Sequence, residues 1–495
     1  MINHQFTDGT ICAPATIPGT GAISIIRVSG KEALTIADKI IHLSGGSLAE
    51  TEGYRLRYGT IFEADGSVLD NVIVSVFRAP HSYTGENSVE ISCHASRFIV
   101  NSILEGLVNA GARIAAPGEF TRRAFVNGKM DLAQAEAVAD VIASQSAASH
   151  KVAMNQLKGG FSSELKSLRE KLLKMTSLLE LELDFSEEDV EFASRSELGA
   201  LVNEALSHIG RLTDSFSRGN AIKNGVPVAI VGATNTGKST LMNALLGEDR
   251  AIVSDIAGTT RDTIEETLNL GGVMFRFIDT AGIRETDEVV EKIGIERTFK
   301  KMDEASIVLG MTDLSRGENS VLADAEYIWD KVNASSSGQE FLLLVNKCDV
   351  DGCESGDGEG HVAGCAGAGY ADKAGKLAGI EAALSAKGIS AKLIPISAKT
   401  GYGLAALTET LAEIGRRITG DTDETLVTNI RHYEALVRAA TALGRVRDGL
   451  QVATLPPDLI AQDLREALYH LGEIVGEIGT EEVLGNIFRN FCIGK

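Results

Sequence analysis

The residues best placed to do chemistry lie at 232–239, where the chain reads GATNTGKS. They follow the apolar run VPVAIVG and precede STLMNALLG, which predicts strand, loop and helix in that order. This is the setting in which G-x-x-x-x-G-K-[ST] cradles phosphate. Gly232 and Gly237 let the backbone curl so that its N–H groups, with the helix N-terminus, face phosphate oxygens. Lys238 reaches the β- and γ-phosphates, Ser239 ligates Mg²⁺, and Thr236 and Thr240 stand beside them.

Three further segments follow in order. DTAG (Asp279, Thr280, Ala281, Gly282) closes the apolar strand FRFI and puts a carboxylate where Mg²⁺ would sit. NKCD (Asn346, Lys347, Cys348, Asp349) follows FLLLV. Asp349 can accept two N–H donors from one edge of guanine, which adenine does not offer. A buried carboxylate left unpaired by the wrong base costs about 1–3 kcal/mol or more, so the pattern selects GTP over ATP. SAK (Ser397, Ala398, Lys399) follows LIPI and supplies backbone N–H near guanine O6. Together these elements predict a GTP hydrolase.

Ras-like proteins orient the attacking water with a Gln directly after the DxxG glycine. Here that position is Ile283, which has no polar atom. Arg261 and Arg284 are candidate arginine fingers or salt-bridged switch residues. Asn235, inside the phosphate loop, has two readings: a turn cap, or a carbonyl ligand for a monovalent cation doing an arginine's electrostatic work. The segment SDIAGTTRD favours the second. It can fold over the phosphates, with Thr260 on Mg²⁺, while carbonyls near Ser254 and Ile256, together with Thr259, complete a K⁺ site.

The elements that must position these residues are spread along 495 residues, a length that predicts two to four domains. Residues 1–127 mix short β-type runs (GAISIIRVSG, NVIVSVFRAP, SVEISCH) with the helical SRFIVNSILEGLVNAG, a pattern of an α+β or α/β domain. Over 128–222 Leu165, Leu168, Leu172, Met175 and Leu179 mark one face of a long helix. Residues 223–417 alternate continuous apolar runs with helical segments, which predicts a mainly parallel sheet buried on both faces. The tail 418–495 returns to helix, with Ile460, Leu464, Leu468, Leu471 and Val475 on one face. An α/β unit inserted into one discontinuous helical domain is expected, two separate helical domains being the alternative.

Net charge is −21, so bulk attraction to nucleic acid is excluded, and any RNA must be held on a local basic patch or brought by another protein. The six cysteines show no metal-ligand spacing, which predicts reduced thiols in a cytoplasmic protein. Neither a signal peptide nor a membrane-spanning run is visible. The Gly/Ala-rich stretch within 350–390 holds Cys353, His361 and Cys365, but their spacing fits a surface insertion and no zinc finger.

With GTTRD, DTAG, NKCD, SAKTGYGL and the terminal FCIGK, the sequence resembles the MnmE (TrmE) family of tRNA modification GTPases. The likeness extends through PATIPGTGAISIIRVSG, APHSYTGENSVEISCH, PGEFTRRAFVNGKMDLAQAEAVADVI and DLREALYHLGEIVGEIGTEEVLGNIFRNFCIGK. It implies an N-terminal domain that dimerises and binds 5-formyl- or methylene-tetrahydrofolate, a split helical domain, and an inserted Ras-like G domain. It also implies a homodimer with K⁺-stimulated GTP hydrolysis, driven by contact between two G domains. The implied partner is an FAD- and NADH-using MnmG (GidA)-type protein, in a heterotetramer or larger. Together they would place an aminomethyl or carboxymethylaminomethyl group on C5 of a tRNA wobble uridine.

The family's folate contacts fall on Arg27, Glu86, Lys129 and Lys495, and its water-positioning glutamate on Glu291. Cys492 is either a nucleophile or a small buried hydrophobe. Thr234 replaces the usual Pro before Asn235, and Thr20 stands where many members have Arg. The Gly/Ala-rich stretch is absent from typical members. A GTP-dependent ribosome-assembly switch and a folate-dependent one-carbon enzyme are the rival readings.

Overall fold

A computed structural model describes residues 9–63, 65–184, 195–248, 266–278, 303–334, 338–349, 368–420, 424–452, 456–477, 484–485, 487–488, 491 and 494. The chain divides into two compact units. The first comprises 1–143, 153–213 and 431–495; the second comprises 144–152 and 214–430.

In the first unit the strands are β1 (Ile11–Pro14), β2 (Gly21–Ser29), β3 (Ile41–Leu43), β4 (Arg55–Phe62), β5 (Val68–Phe77), β6 (Ser88–Ala95) and β7 (Arg113–Ile114). They form a sheet in the order β3-β4-β5-β6-β2-β1-β7, antiparallel except where β1 meets β7. Alternation decides what is buried. Ile26, Val28, Val72, Val74, Val76, Val89 and Ile91 face a core shared with Leu34 and Ile36 of helix Ala33–Ile40 and with Ile103 and Leu107 of helix Arg97–Asn109. The register sets Arg27 of β2 opposite Glu90 of β6. This is the expected α+β arrangement.

The same unit holds the helices Leu132–Ala143, Gly160–Asp184, Ile430–Leu450 and Pro457–Val475. Leu165, Leu168, Leu172 and Leu179 are buried as their spacing predicts, whereas Met175 is half-buried and Thr176 takes the interior place. All five apolar positions expected on the last helix, from Ile460 to Val475, are buried. A cluster of charges ties these helices together. Arg431 donates to both Glu136 carboxylate oxygens at 3.0 Å and to the Glu473 and Ile474 carbonyls at 2.8 and 3.1 Å. His432 Nε2 lies 2.6 Å from the same Glu136 carboxylate, and Phe161 stacks on its ring. Burial alone would raise the Glu136 carboxyl, but His432, and behind it Arg431, hold it down at about 2.

The second unit contains β8 (Val226–Gly232), β9 (Glu266–Leu270), β10 (Val273–Ile278), β11 (Ile307–Asp313), β12 (Glu340–Asn346) and β13 (Lys392–Pro395), in the order β13-β12-β11-β8-β10-β9. Every pairing is parallel except β9 with β10. Both faces are covered. Val226, Val228 and Ile230 pack with Leu404, Leu407 and Leu411, whereas Ala229 and Val231 pack with Val321, Ala325 and Ile328. That two-sided burial is why the strands read as continuous apolar runs. The edge strand β9 has an alternating burial pattern and joins β10 through Gly271 and Gly272, both at positive φ (59° and 85°). No described helix is long and apolar enough to cross a membrane, and no group of metal-ligating side chains occurs among the described residues.

Candidate active site

In an open parallel sheet, ligands bind beyond the carboxyl ends of the strands where the order reverses. Here β8 lies between β10 and β11, and its carboxyl end runs into 233–237 and the helix Lys238–Glu248. Gly232 is needed for packing and not for a special torsion: a Cβ there would come 2.3 Å from the Met311 carbonyl oxygen on β11. Gly237 is needed for both reasons, with φ at +100° and a Cβ position 2.4 Å from Asn346 Nδ2. Asn235 is left-handed at φ +61°, a region Asn tolerates better than most residues. It is exposed, and its amide makes no hydrogen bond among the described residues.

Thr236 is fully buried, and its Oγ1 donates to the Ala233 carbonyl at 2.8 Å. Lys238 folds back over the loop, its Nζ donating to the Gly232 and Ala233 carbonyls at 2.9 and 2.8 Å. Burial pushes this amine below the ordinary lysine range. A phosphate arriving at the helix N-terminus would offer it a better partner than two carbonyls. Ser239 is half-buried and Thr240 exposed in the first turn of that helix.

The base side is built from the ends of β12 and β13. Asn346 is buried and bridges three segments: Nδ2 donates to the Thr236 carbonyl at 2.6 Å, and Oδ1 accepts from Ala398 N at 3.0 Å. Lys347 is also left-handed (φ +63°), and its Nζ donates to Asp313 at 2.6 Å. Asp349 is half-buried in the turn that follows. Ser397 is buried, its Oγ accepts from Thr400 N at 3.2 Å, and Lys399 is exposed. Thus the NKCD and SAK segments and the phosphate loop meet through one asparagine.

In the first unit, Arg27 pairs with Glu90 at 2.9 Å, lies over the Tyr83 and Phe120 rings, and donates to the Gly494 carbonyl at 3.4 Å. Glu86 accepts from Ser29 Oγ at 2.9 Å and from Arg123 at 3.0 and 3.1 Å. Arg123 is 1% exposed and also binds Glu119 at 3.0 Å, while Arg113 closes the chain of charges on Glu119. Burial pushes the Glu119 carboxyl up, yet Arg113, the Ala116 N–H and Arg123 bring it below the ordinary range. Lys129 is exposed and donates to the Pro80 carbonyl at 3.1 Å.

Comparison with known proteins adds the whole-chain context. Residues 10–129 match the profile described as GTP-binding protein TrmE N-terminus, and residues 132–492 match MnmE helical domain. The tRNA modification GTPase MnmE of Parabacteroides distasonis is 50% identical over 489 residues, covering 98% of this chain and 100% of that one. The protein of the same name from Porphyromonas gingivalis is 47% identical over 499 residues, covering both chains fully. This chain belongs to the MnmE (TrmE) family.

A solved GTP-binding protein from Sulfolobus solfataricus in complex with GDP is also similar, at 18% identity and a TM-score of 0.28, over 51% of this chain and 67% of that one. For an MnmE-family chain, several expected site residues lie outside the described residues: Ser254, Ile256, Thr259, Thr260, Asp279, Thr280, Ala281, Gly282, Glu291, Cys492 and Lys495. Ile283, Arg261, Arg284 and the stretch 350–367 lie outside them too. Sequence reasoning missed Asp313, Arg316, Glu90, Glu119 and Arg123. Glu119 and Arg123 carry a faint signal, the i,i+4 spacing in EFTRR, and Asp313 stands where the third long apolar run of the G region ends.

Proposed function

We propose that this protein is a K⁺-stimulated GTP hydrolase. With an FAD- and NADH-dependent MnmG-type partner, it drives addition of a (carboxymethyl)aminomethyl group to C5 of the wobble uridine of certain tRNAs, using a tetrahydrofolate one-carbon unit. The observation that carries the GTP reading is the Asn346 bridge, which joins the phosphate loop at Thr236 to the base loop at Ala398. The tRNA part rests on family membership, since the full-length relatives carry that name. The domains would be 1–127 (folate binding and dimerisation), 128–222 and 418–495 (helical), and 223–417 (GTPase), in a cytoplasmic homodimer.

In this reading the amides of 233–237 and Lys238 hold the β- and γ-phosphates, while Asp349 reads the guanine edge and Ser397–Lys399 faces its O6. Ser239 and Thr260 would hold Mg²⁺, with Asp279 nearby. Asn235, Ser254, Ile256 and Thr259 would hold K⁺, and the free Asn235 amide fits that task. Bound there, the two cations supply positive charge beside the departing phosphoryl group. Glu291 would orient the water, since Ile283 cannot.

The fit for tetrahydrofolate is narrower. Glu90 already neutralises Arg27, and Arg123 with Ser29 already engages Glu86, so these two residues shape the site more than they offer free charge. Lys129, exposed and bound only to a carbonyl among the described residues, is the side chain left to meet a ligand carboxylate. Lys495 would join it, and Cys492 is the candidate thiol.

Mass spectrometry of tRNA nucleosides from a deletion strain tests the proposal. Loss of the wobble modification is expected. Intact modification with accumulating ribosome precursors would overturn it in favour of an assembly switch.

A further inference from the structure

Asp313 ends β11 and is 3% exposed. Its Oδ1 accepts from Ser315 N and Oγ at 3.0 and 2.6 Å, capping the short turn Leu314–Arg316, which ends at Gly317 with φ +91°. Its Oδ2 accepts from Lys347 Nζ at 2.6 Å and lies 3.8 Å from Arg316 Nε. The turn brings Arg316 to the phosphate loop, where the guanidinium donates to the Thr234 carbonyl at 3.1 Å.

That carbonyl belongs to the turn that shapes Asn235. Thr236 Oγ1 closes the turn on Ala233, and Asn235 holds its left-handed φ at the third position. A turn with positive φ at its third residue is the kind that accepts proline at the second, because proline fixes φ there. At this second position stands Thr234, which imposes no such restraint. Among the described residues, the side chain that bonds to it from outside the loop is Arg316.

We propose that Arg316, aimed by Asp313, is a positioning residue for Asn235: by holding the Thr234 carbonyl it fixes the turn that presents the Asn235 amide to its cation. Lys347 shares the same carboxylate, so a single strap (Lys347, Asp313, Arg316, Thr234) ties the base loop to the phosphate loop. The inference rests on the reading of Asn235 as a K⁺ ligand. Arg316 is 41% exposed, so its role comes from geometry and not from a strong ion pair.

The test is GTP hydrolysis by the full-length protein, titrated with K⁺ at saturating GTP. Arg316→Ala should raise the half-saturating K⁺ concentration about five-fold or more while KM for GTP moves less than about two-fold, because only the cation ligand is displaced. Thr234→Pro in the Arg316→Ala background should restore the K⁺ midpoint, since proline supplies the restraint that Arg316 supplied. A merely structural arginine would shift Tm without moving that midpoint. K⁺ dependence with an unchanged midpoint in Arg316→Ala, or a proline that fails to restore it, would overturn the strap alone. Equal wild-type rates in K⁺ and Na⁺ would overturn the Asn235 reading and the strap with it.

Discussion

Asn346 Nδ2 stands 2.6 Å from the Thr236 carbonyl oxygen, so the residue that opens the base loop also holds the phosphate loop in shape. Its second contact, Oδ1 to Ala398 N, fixes which end of the amide is the donor. Asn346→Asp keeps the acceptor but replaces the donor with an oxygen facing an oxygen. Leaving a buried carbonyl unpaired costs about 1–3 kcal/mol, so GDP affinity should fall about 10- to 100-fold. Calorimetry on the variant checks this. Affinity within about two-fold of wild type would mean the bridge does not shape the site.

Asn235 lies exposed at the outer edge of the same loop, in a conformation held by its neighbours and not by its own side chain. Asn235→Ala should therefore leave GDP binding nearly intact and abolish most of the rate gained in K⁺ over Na⁺. Steady-state hydrolysis in the two salts measures the effect. A variant that keeps the K⁺ advantage would show that the amide oxygen is not a ligand.

Asp349 follows the Lys347 turn, where its carboxylate can face the two N–H donors of guanine. Asp349→Asn exchanges one acceptor for a donor, which matches a base that carries a carbonyl in place of the exocyclic amine. GTP affinity should fall about 10- to 100-fold, and xanthosine triphosphate should gain by a similar factor. Competition binding with the two nucleotides decides it, and unchanged GTP affinity would contradict the assignment.

Much of this was legible in the sequence because buried parallel strands leave continuous apolar runs, and VPVAIVG, IVLGM and FLLLVN lie where β8, β11 and β12 formed. Edge strand β9 went unseen because ETLNL pairs on one side and mixes buried with half-exposed residues. The Gly271–Gly272 pair that joins it to β10 was the available signal. Charged pairs were harder still. The sequence carries Arg27 and Glu90 in plain view, but only the register of β2 on β6 sets them opposite one another. Likewise nothing in the spacing of Asp313, Lys347 and Thr234 shows that one strap joins them, because contacts between strand ends have no local period.

The Glu136 cluster gives the first unit an acid-sensitive joint. Its carboxyl titrates at about 2 against an ordinary 4.5, because His432 and Arg431 outweigh the cost of burial. A depressed carboxyl stabilises the fold fully above the unfolded value, and that stabilisation is lost as pH falls from about 4.5 toward 2. At ~1.4 kcal/mol per pH unit the difference corresponds to about 3 kcal/mol. Glu136→Gln leaves the Arg431 guanidinium without its counter-charge and keeps a single oxygen for the two groups that the carboxylate meets. The variant should lose several degrees of Tm at pH 7, and its gap from wild type should narrow as pH falls below about 4.5, where the unfolded-state carboxyl takes up a proton that the native one takes up only near 2. Thermal melts across that range measure the gap. A gap that stays constant from pH 7 to the acid limit would show that the carboxylate charge contributes nothing to holding helix Leu132–Ala143 against helix Ile430–Leu450.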